Sequence, residues 1–290
     1  MMKSMGEYKR GKVAAEEIFD LMGKIESSRL NEKADVTYSG QRLELKHVNF
    51  KYASRSALAL EDVSLVVKSG EVVALVGQNG SGKSTIVNLF GGAYRPQNPD
   101  TVFLPAVSTA SPPSSTVSTV GVVSQQKQLF SGTIAENIMY GQPSTTLISD
   151  PAVQKAISIT NLESFVNDLP GKFDTLVGMD GLRLSGGQRA RIAIARGLVG
   201  NPKALLLDEV TSELDGEGSK SVWEVVRRFR NDGGCVLVVT HDLADVIDSS
   251  KVDKIVVMKD GRVAETGKAR ILTEKRGGEL QRLLAASELL

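Results

Sequence analysis

The stretch Gly77-Gln78-Asn79-Gly80-Ser81-Gly82-Lys83-Ser84 decides the fold of this 290-residue chain. It matches the pattern G-x-x-x-x-G-K-[ST], in which the backbone N–H groups of a glycine-rich loop surround phosphate oxygens. The apolar run 71–76 before it predicts a buried parallel strand, and the run from Thr85 to Phe90 after it predicts the first turns of a helix. Strand, loop and helix follow in the order that the pattern requires. We therefore predict a phosphate-binding loop, the P-loop, rather than an ordinary glycine-rich turn.

The residue types of this loop assign two roles. The Lys83 ammonium is expected to reach the β- and γ-phosphates of a nucleotide, and the Ser84 hydroxyl to help hold Mg²⁺. The glycines allow close approach of the backbone at a helix N-terminus, which favours negative charge.

Composition excludes several classes of partner. Hydrophobic residues make up 41% of the chain and charged residues 24%, which is ordinary for a globular protein. A net charge of +1 gives no reason to expect nucleic acid or an anionic membrane as the main partner. Cys235 is the one cysteine and lies in an apolar run, so we predict a buried core thiol. No apolar run approaches the ~18 residues that a membrane-spanning helix needs.

Strands that alternate with helices predict a parallel α/β core with ligands at the carboxyl ends of its strands. The apolar run 204–207 ends at Asp208 and Glu209, and the run 235–240 ends at His241. We expect these side chains to converge with Lys83 on one site. Asp208 would offer a carboxylate to Mg²⁺, and Glu209 could orient or deprotonate a water molecule.

Two further positions leave alternatives open. His241 could contact the γ-phosphate, although a lone histidine after a strand is more often structural. The alternating segment 42–50 predicts a half-exposed antiparallel strand, followed by a second strand over 59–67. Tyr52 lies between them, where its ring could stack on an adenine or equally pack on its neighbours at the end of the strand.

The segment 96–119 differs in composition from the rest of the chain. Five of the nine prolines fall in it, among many serines and threonines and without lysine or arginine. Such a sequence buries too little apolar surface to order itself, so we predict a long flexible loop.

The run Leu184-Ser185-Gly186-Gly187-Gln188, just before the strand that ends at Asp208, resembles the signature motif of ATP-binding-cassette (ABC) ATPases. The resemblance implies a P-loop core with a mostly parallel sheet, an N-terminal antiparallel β-subdomain and an α-helical subdomain that carries the signature motif. It also implies that Tyr52 stacks on adenine, that Gln125 is the glutamine that touches Mg²⁺ and senses a membrane partner, and that His241 is the switch histidine. Residues 212–215 resemble the D-loop.

The segment 123–138 is similar to the exporters of ABC subfamily B, the multidrug and peptide transporter type. That resemblance implies three regions. Residues 1–40 would be the end of a membrane-domain helix and a linker, 41–275 the nucleotide-binding domain, and 276–290 a C-terminal helix. The chain would be held at the cytosolic or organelle-matrix face of a membrane through its transmembrane domain.

By the same resemblance the chain is an ATPase that powers export with ATP and Mg²⁺. It would pair head to tail with a second ABC nucleotide-binding domain, as a homodimer or heterodimer, and bind the transmembrane domains of an exporter. Glu209 would be the catalytic base, and Ser185 of one domain would face the phosphates that Lys83 of the other holds. The implied nucleotide contacts are Tyr52, Gly77, Gln78, Asn79, Gly80, Ser81, Gly82, Lys83, Ser84, Thr85, Gln125, Ser185, Gly186, Gly187 and Gln188; Ser84, Gln125 and Asp208 would serve the metal.

Two stretches depart from the family pattern. The segment 96–119 replaces a strand and the end of a helix, and Met179 stands where exporters typically have a glutamate. Two alternatives therefore remain beside the exporter domain: a soluble ABC ATPase outside transport, and a degenerate cassette that binds ATP without turnover and acts as an assembly module. Intact Glu209 and His241 argue against the second.

Overall fold

A computed structural model of the chain describes residues 37–38, 42–96, 102–104 and 119–287. These residues all belong to the second of the two units into which the chain divides, Thr37–Leu290. The helix and linker predicted for 1–40 lie outside the described residues, except for Thr37–Tyr38, which form a short strand. Most of the segment 96–119 also lies outside them.

The larger sheet carries the P-loop. Its six strands have the order β10-β9-β4-β8-β7-β6, and all neighbours are parallel except the β9–β10 hairpin. The central strands β4 and β8 are buried along their whole length, as predicted from their continuous apolar runs. The strands are β4 Val72–Gly77, β6 Val120–Val123, β7 Ala204–Asp208, β8 Cys235–Val239, β9 Lys254–Lys259 and β10 Arg262–Gly267.

The smaller sheet has the order β1-β5-β2-β3. Strands β2 and β3 are antiparallel, as their alternating sequence predicts. The prediction of a loop throughout 96–119 is wrong for Val102–Leu104, which form β5 and pair with β2. Val102 is fully buried, so this short apolar run has a core to pack on. The sheet contains β1 Thr37–Tyr38, β2 Arg42–Phe50, β3 Leu60–Lys68 and β5 Val102–Leu104.

Helices cover the larger sheet and form the helical subdomain. Helix α5 joins the two, because it packs against α2, α3, α6 and strand β6. Two helices were not predicted: one follows His241, and one covers Ala269–Glu274; the helix predicted over 276–290 is present over Glu279–Ser287. The helices are α1 Lys83–Phe90, α2 Ile134–Met139, α3 Pro151–Thr160, α4 Glu163–Val166, α5 Gly186–Leu198, α6 Gly216–Asn231, α7 Leu243–Ile247, α8 Ala269–Glu274 and α9 Glu279–Ser287.

The predicted fold class is confirmed: a mixed α/β structure with an antiparallel β pair and a mostly parallel sheet. Cys235 is buried in β8, and burial raises the pKa of its thiol to about 11, as expected of a core cysteine. Across the part of the chain that the structure describes, no helix has both the length and the apolar character needed to cross a bilayer.

Candidate functional site

The P-loop is clamped between strands from both sheets. Gly77 has φ 147°, and a Cβ there would lie 2.3 Å from the Met258 carbonyl oxygen of β9. Gly82 has φ 104°, and a Cβ there would lie 2.7 Å from Leu60 Cδ2 of β3. Both the backbone angles and the lack of space therefore require glycine at these two positions.

The P-loop forms a concave, positively charged surface on which some hydrogen-bonding groups have no partner. Lys83 is buried, and its Nζ donates to the carbonyl oxygens of Gly77 at 2.7 Å and Gln78 at 3.0 Å. Burial lowers the pKa of Lys83, against the opposing effect of Glu209 and Asp208. The Ser81 hydroxyl is buried without a hydrogen-bond partner among the described residues. Helix α1 has Gly82 as its N-cap, with no side-chain cap hydrogen bond and no acid in its first turn. These unfilled donors fit a phosphate group.

Two acids follow β7 at the edge of this loop. Burial, and then the neighbouring Glu209, raise the pKa of Asp208, while Lys83 and His241 oppose that rise. Glu209 takes a left-handed conformation with φ 52°, and its N–H donates to the Val239 carbonyl at 2.8 Å. The strand end of β8 thus fixes the backbone of Glu209 and directs its side chain toward the P-loop.

The side chains of Glu209 and His241 are in contact. His241 Nε2 lies 2.9 Å from Glu209 Oε1, so the strand ends of β7 and β8 bring the two residues together as predicted. The Glu209 side chain is 21% exposed and that of His241 is 45% exposed, so water can reach both. The convergence of Lys83, Asp208, Glu209 and His241 follows from the electrostatic contacts among them.

The oxygen donors at this edge fit Mg²⁺. Ser84 and Asp208 offer a hydroxyl and a carboxylate, the hard ligands that Mg²⁺ prefers. Among the described residues no group of three or more histidine, cysteine or acidic side chains could hold a metal ion. A cation here would therefore need oxygens from phosphate and water in addition to the protein, which is the usual way in which Mg²⁺ is bound.

Tyr52 lines the other side of the pocket, and two further aromatic rings pack against it. The Tyr52 ring meets Phe50 and Tyr94 edge to face, with centroids 5.0 Å and 5.1 Å away. The Tyr52 hydroxyl lies 3.0 Å from Thr85 Oγ1 in α1. Sequence reasoning missed Tyr94, which follows the end of α1. An aromatic residue just beyond the P-loop helix was the one signal that could have pointed to it.

The pocket between these two sides has a volume of about 460 Å³. Glu209 and the turn between β9 and β10 close one side of it, and Arg55 lies 5.7 Å from the centroid of the Tyr52 ring. A pocket with an aromatic side and a phosphate-binding side can hold a nucleotide. Its lining residues are Tyr52, Arg55, Leu58, Ala59, Asn79, Gly80, Gly82, Lys83, Ser84, Thr85, Glu209, Asp260 and Gly261.

The signature motif lies outside this pocket. Ser185 caps α5: its hydroxyl accepts from the Gln188 N–H at 3.2 Å, and Gln188 Oε1 accepts from the Ser185 N–H at 2.9 Å. A Cβ on Gly187 would lie 2.8 Å from the Gly218 Cα, so this turn packs directly on α6. Ser185, Gly187 and Gln188 line a separate groove of about 340 Å³ that shares no lining residue with the nucleotide pocket.

Gln125 also lies outside the nucleotide pocket. It is exposed after β6 and lines a groove with Lys127 and Glu213. The D-loop begins nearby: Lys127 Nζ donates to the Ser212 carbonyl at 2.8 Å, and Ser212 Oγ donates to the Glu209 carbonyl at 2.5 Å. Met179, the departure from the family pattern, is 71% exposed.

Comparison with known proteins places these features in one family. The family model described as "ABC transporter" matches residues 60–212. ABC transporter B family member 13 of Arabidopsis thaliana is 37% identical over 98% of this chain and 22% of its own length. ATP-binding cassette sub-family B member 5 of Homo sapiens is 43% identical over 81% of this chain and 18% of its own length.

A solved structure leads to the same family. The bacterial Atm1-family ABC exporter with ATP bound aligns with a TM-score of 0.66 and 31% identity, over 85% of this chain and 42% of that one. The chain spans about a fifth of the length of these two curated relatives. The expected family and subfamily are thereby confirmed, because the family model covers more than half of the chain and the relatives are subfamily B proteins. The chain belongs to the ABC transporter family.

Proposed function

We propose that the chain is the nucleotide-binding domain of a subfamily B exporter, which binds ATP with Mg²⁺ and hydrolyses it to power export. The observation that carries the hydrolytic part is the 2.9 Å contact between Glu209 and His241 beside the P-loop. A carboxylate placed at the phosphate end of a nucleotide pocket can accept a proton from an attacking water molecule.

The residues of the pocket have different roles in this function. Lys83 and the loop N–H groups hold the β- and γ-phosphates, and Glu209 acts as the general base. His241 orients the Glu209 carboxylate through its Nε2 and keeps that side chain at the water-accessible edge. Mg²⁺, held by Ser84 and Asp208, would neutralise charge on the phosphates.

The site requires a second domain. The signature residues Ser185, Gly187 and Gln188 are not among the residues that line the nucleotide pocket of their own chain. Ser185 nevertheless caps α5 in a groove that is open to solvent. This separation supports a head-to-tail dimer, in which the signature motif of one domain contacts the nucleotide on the P-loop of the other.

Coupling to export is supported by the relatives. Their names place them in subfamily B, and the solved neighbour is described as an exporter. Because the chain spans a minor share of their length, we propose that the remainder of the working transporter supplies the transmembrane domains. These would hold the chain at the membrane.

Mixing two inactive variants tests the composite site. Lys83→Ala spoils the P-loop and keeps the signature motif, whereas Ser185→Arg spoils the signature motif and keeps the P-loop. Each variant alone should hydrolyse little ATP, because every site in its homodimer carries the lesion. A mixed dimer has one site with both lesions and one with neither, so phosphate release should recover in part, and more so at higher protein concentration.

The head-to-tail dimer is tested by comparing the wild type with two mixtures of variants. A mixture of Lys83→Ala with Glu209→Gln places both lesions on the P-loop side, so no sound site can form and no recovery is expected. The head-to-tail dimer is wrong if the first mixture also stays inactive while the wild type is active at a rate per chain that does not depend on concentration. A wild type that releases no phosphate from ATP and Mg²⁺ would contradict the ATPase itself.

A further inference from the structure

Asp245 is a buried carboxylate that lies outside the nucleotide pocket. It belongs to α7, four residues after His241, and is 8% exposed. Burying a charge is costly unless it is paired and hydrogen-bonded. The groups around Asp245 must therefore compensate the free-energy cost of burying its charge. The hydrogen-bond and ion-pair partners of its two oxygens provide that compensation.

The two oxygens of Asp245 have different partners. Oδ2 accepts from the indole Nε1 of Trp223 at 2.7 Å and from Ser219 Oγ at 3.3 Å, both on α6. Oδ1 pairs with Lys251 Nζ, six residues further along its own segment. Lys251 also lies 5.8 Å from the centroid of the Trp223 ring. The bonds to Oδ2 thus join two helices, whereas the bond to Oδ1 is local.

The α7 end of this link is attached closely to His241. Asp242 caps the helix, and its Oδ1 accepts from the N–H groups of Ala244 at 3.0 Å and Asp245 at 3.3 Å. The Asp242 N–H donates to Thr240 Oγ1 at 3.0 Å. These bonds tie Asp245 to Asp242 and Asp242 to Thr240, and His241 lies between the last two. A displacement of α7 would therefore be transmitted to His241.

The α6 end of the link leads to Glu209. The N-cap of helix α6 is Asp215, whose Oδ1 accepts from the Gly218 N–H at 2.7 Å. Three residues before Asp215, Ser212 donates its hydroxyl to the Glu209 carbonyl. A path of contacts thus runs from Glu209 through α6, Trp223, Asp245 and α7 to His241. The contact between the side chains of Glu209 and His241 closes this path.

We propose that Asp245, bonded to Trp223, is a positioning residue that holds His241 against Glu209. The catalytic consequence rests on the proposed ATPase function of that pair. The link fixes α7 relative to the helix that follows the D-loop. Its loss would leave His241 free to move away from Glu209 without altering the P-loop or the aromatic side of the pocket.

A matched pair of variants separates the link from simple stabilisation of the buried charge. Trp223→Phe removes the N–H that joins the helices and keeps an aromatic ring. Lys251→Met removes a donor from the same carboxylate, keeps the Trp223 bond and can still contact the indole ring through sulfur. Lys251 supplies the positive charge that compensates the buried carboxylate. If Asp245 had a purely structural role, Lys251→Met would therefore change the readouts more than Trp223→Phe does.

The readouts are the imidazole NMR signal of His241 and steady-state kinetics of ATP hydrolysis. The chain has two histidines, so the His241 signal is assigned by its loss in His241→Gln, and exposed His47 is the internal reference. Trp223→Phe should shift the His241 signal and leave that of His47 in place. We expect kcat to fall about tenfold, the low end of what a hydrogen bond to a charged group contributes, with KM for ATP unchanged. Lys251→Met should lower Tm and leave both readouts as in the wild type.

The double variant Asp245→Leu/Lys251→Met provides a second test, since apolar side chains can replace both members of a buried ion pair. It should shift the His241 signal in the same direction as Trp223→Phe. The proposal is overturned if His241 does not respond in either folded variant, or if Lys251→Met shifts it as much as Trp223→Phe does. A wild type without ATPase activity would contradict the proposed function, and the NMR comparison would still decide the link.

Discussion

The two sides of the nucleotide pocket are built on different principles. The phosphate side consists of strand ends and backbone: a loop that requires glycine, a buried lysine held by two carbonyls, and an acid whose own N–H is bonded to β8. The aromatic side, where we propose that the base binds, consists of Tyr52, two further rings in edge contact with it, and one hydroxyl pair. The residues of the phosphate side are determined by the chemistry of phosphate binding, whereas those of the aromatic side are determined by how the side chains pack.

This difference predicts that substitutions on the phosphate side have large effects that separate binding from turnover. Substitutions on the aromatic side should have small effects confined to affinity for the base. Each prediction below tests one part of that contrast, beginning with the largest effect.

Glu209→Gln should stop hydrolysis and leave ATP binding intact. The amide keeps the shape of the side chain but cannot accept a proton, so turnover should fall roughly 10²–10⁴-fold, the usual contribution of a general base. Phosphate release and equilibrium ATP binding, measured on the same samples, check this. Glu213→Gln, an acid of the neighbouring D-loop, is the control and should behave like the wild type. Release near the wild-type rate in Glu209→Gln would remove Glu209 from catalysis.

Lys83→Ala should instead lose affinity. The ammonium meets the phosphates before and during reaction, so its removal weakens the ground state as well. A hydrogen bond to a charged group is worth about 1.5–3 kcal/mol, which corresponds to roughly tenfold to a hundredfold in Kd for ATP. Lys220→Ala on the exposed part of α6 is the control. An unchanged Kd in Lys83→Ala would mean that the loop N–H groups alone hold the phosphates.

The same contrast explains which features the sequence could predict. The P-loop was predictable because phosphate binding allows few residue types in such a loop. The convergence of Lys83, Asp208, Glu209 and His241 was predictable because parallel strands bring their carboxyl ends to one edge. Tyr94 was not, since its contact with Tyr52 depends on how α1 and the smaller sheet pack. The link from Trp223 to Asp245 was missed for the same reason, because α7 has five residues and no clear helical period.

Strand β5 shows how composition can mislead. The prolines, serines and threonines of 96–119 predict a loop on average, but Val102–Leu104 form a three-residue strand that pairs with β2. An average over a long segment hides a run this short. The neighbouring strand, which decides the outcome, lies more than 50 positions away in the sequence, so local pattern could not reveal it.

Asp208→Asn should stabilise the protein without nucleotide. Burial and Glu209 raise the pKa of Asp208, so the folded state binds its proton more readily than the unfolded state does. Stability therefore falls as pH rises from the unfolded pKa through the folded one. Asparagine avoids that loss of stability. At pH values above the folded pKa of Asp208, Tm of the variant should therefore be a few degrees higher than that of the wild type, and the gain should vanish at acid pH.

Thermal unfolding of the wild type and Asp208→Asn across pH, with and without Mg²⁺ and ATP, measures this effect. Nucleotide should stabilise the wild type more than the variant, because the carboxylate serves the metal. Asp168→Asn, at an exposed acid just after α4, is the control. A lower Tm for Asp208→Asn at neutral pH would show that the Asp208 charge stabilises the empty site.

Tyr94→Leu should have the smallest effect, and only on the base. Tyr94 meets the Tyr52 ring at an interplanar angle of 89°, and an aromatic edge contact is worth about 0.5–1.5 kcal/mol beyond burial. If Tyr52 stacks on adenine, loss of this contact should weaken ATP binding about twofold to tenfold, and Tyr52→Leu should weaken it more. Inorganic triphosphate, which reaches only the loop, should bind both variants as it binds the wild type. Tyr140→Leu, an exposed tyrosine that does not line the pocket, is the control. Equal losses for triphosphate and ATP in Tyr94→Leu would mean that the aromatic cluster supports the P-loop through Thr85, and that the two sides of the pocket are not independent.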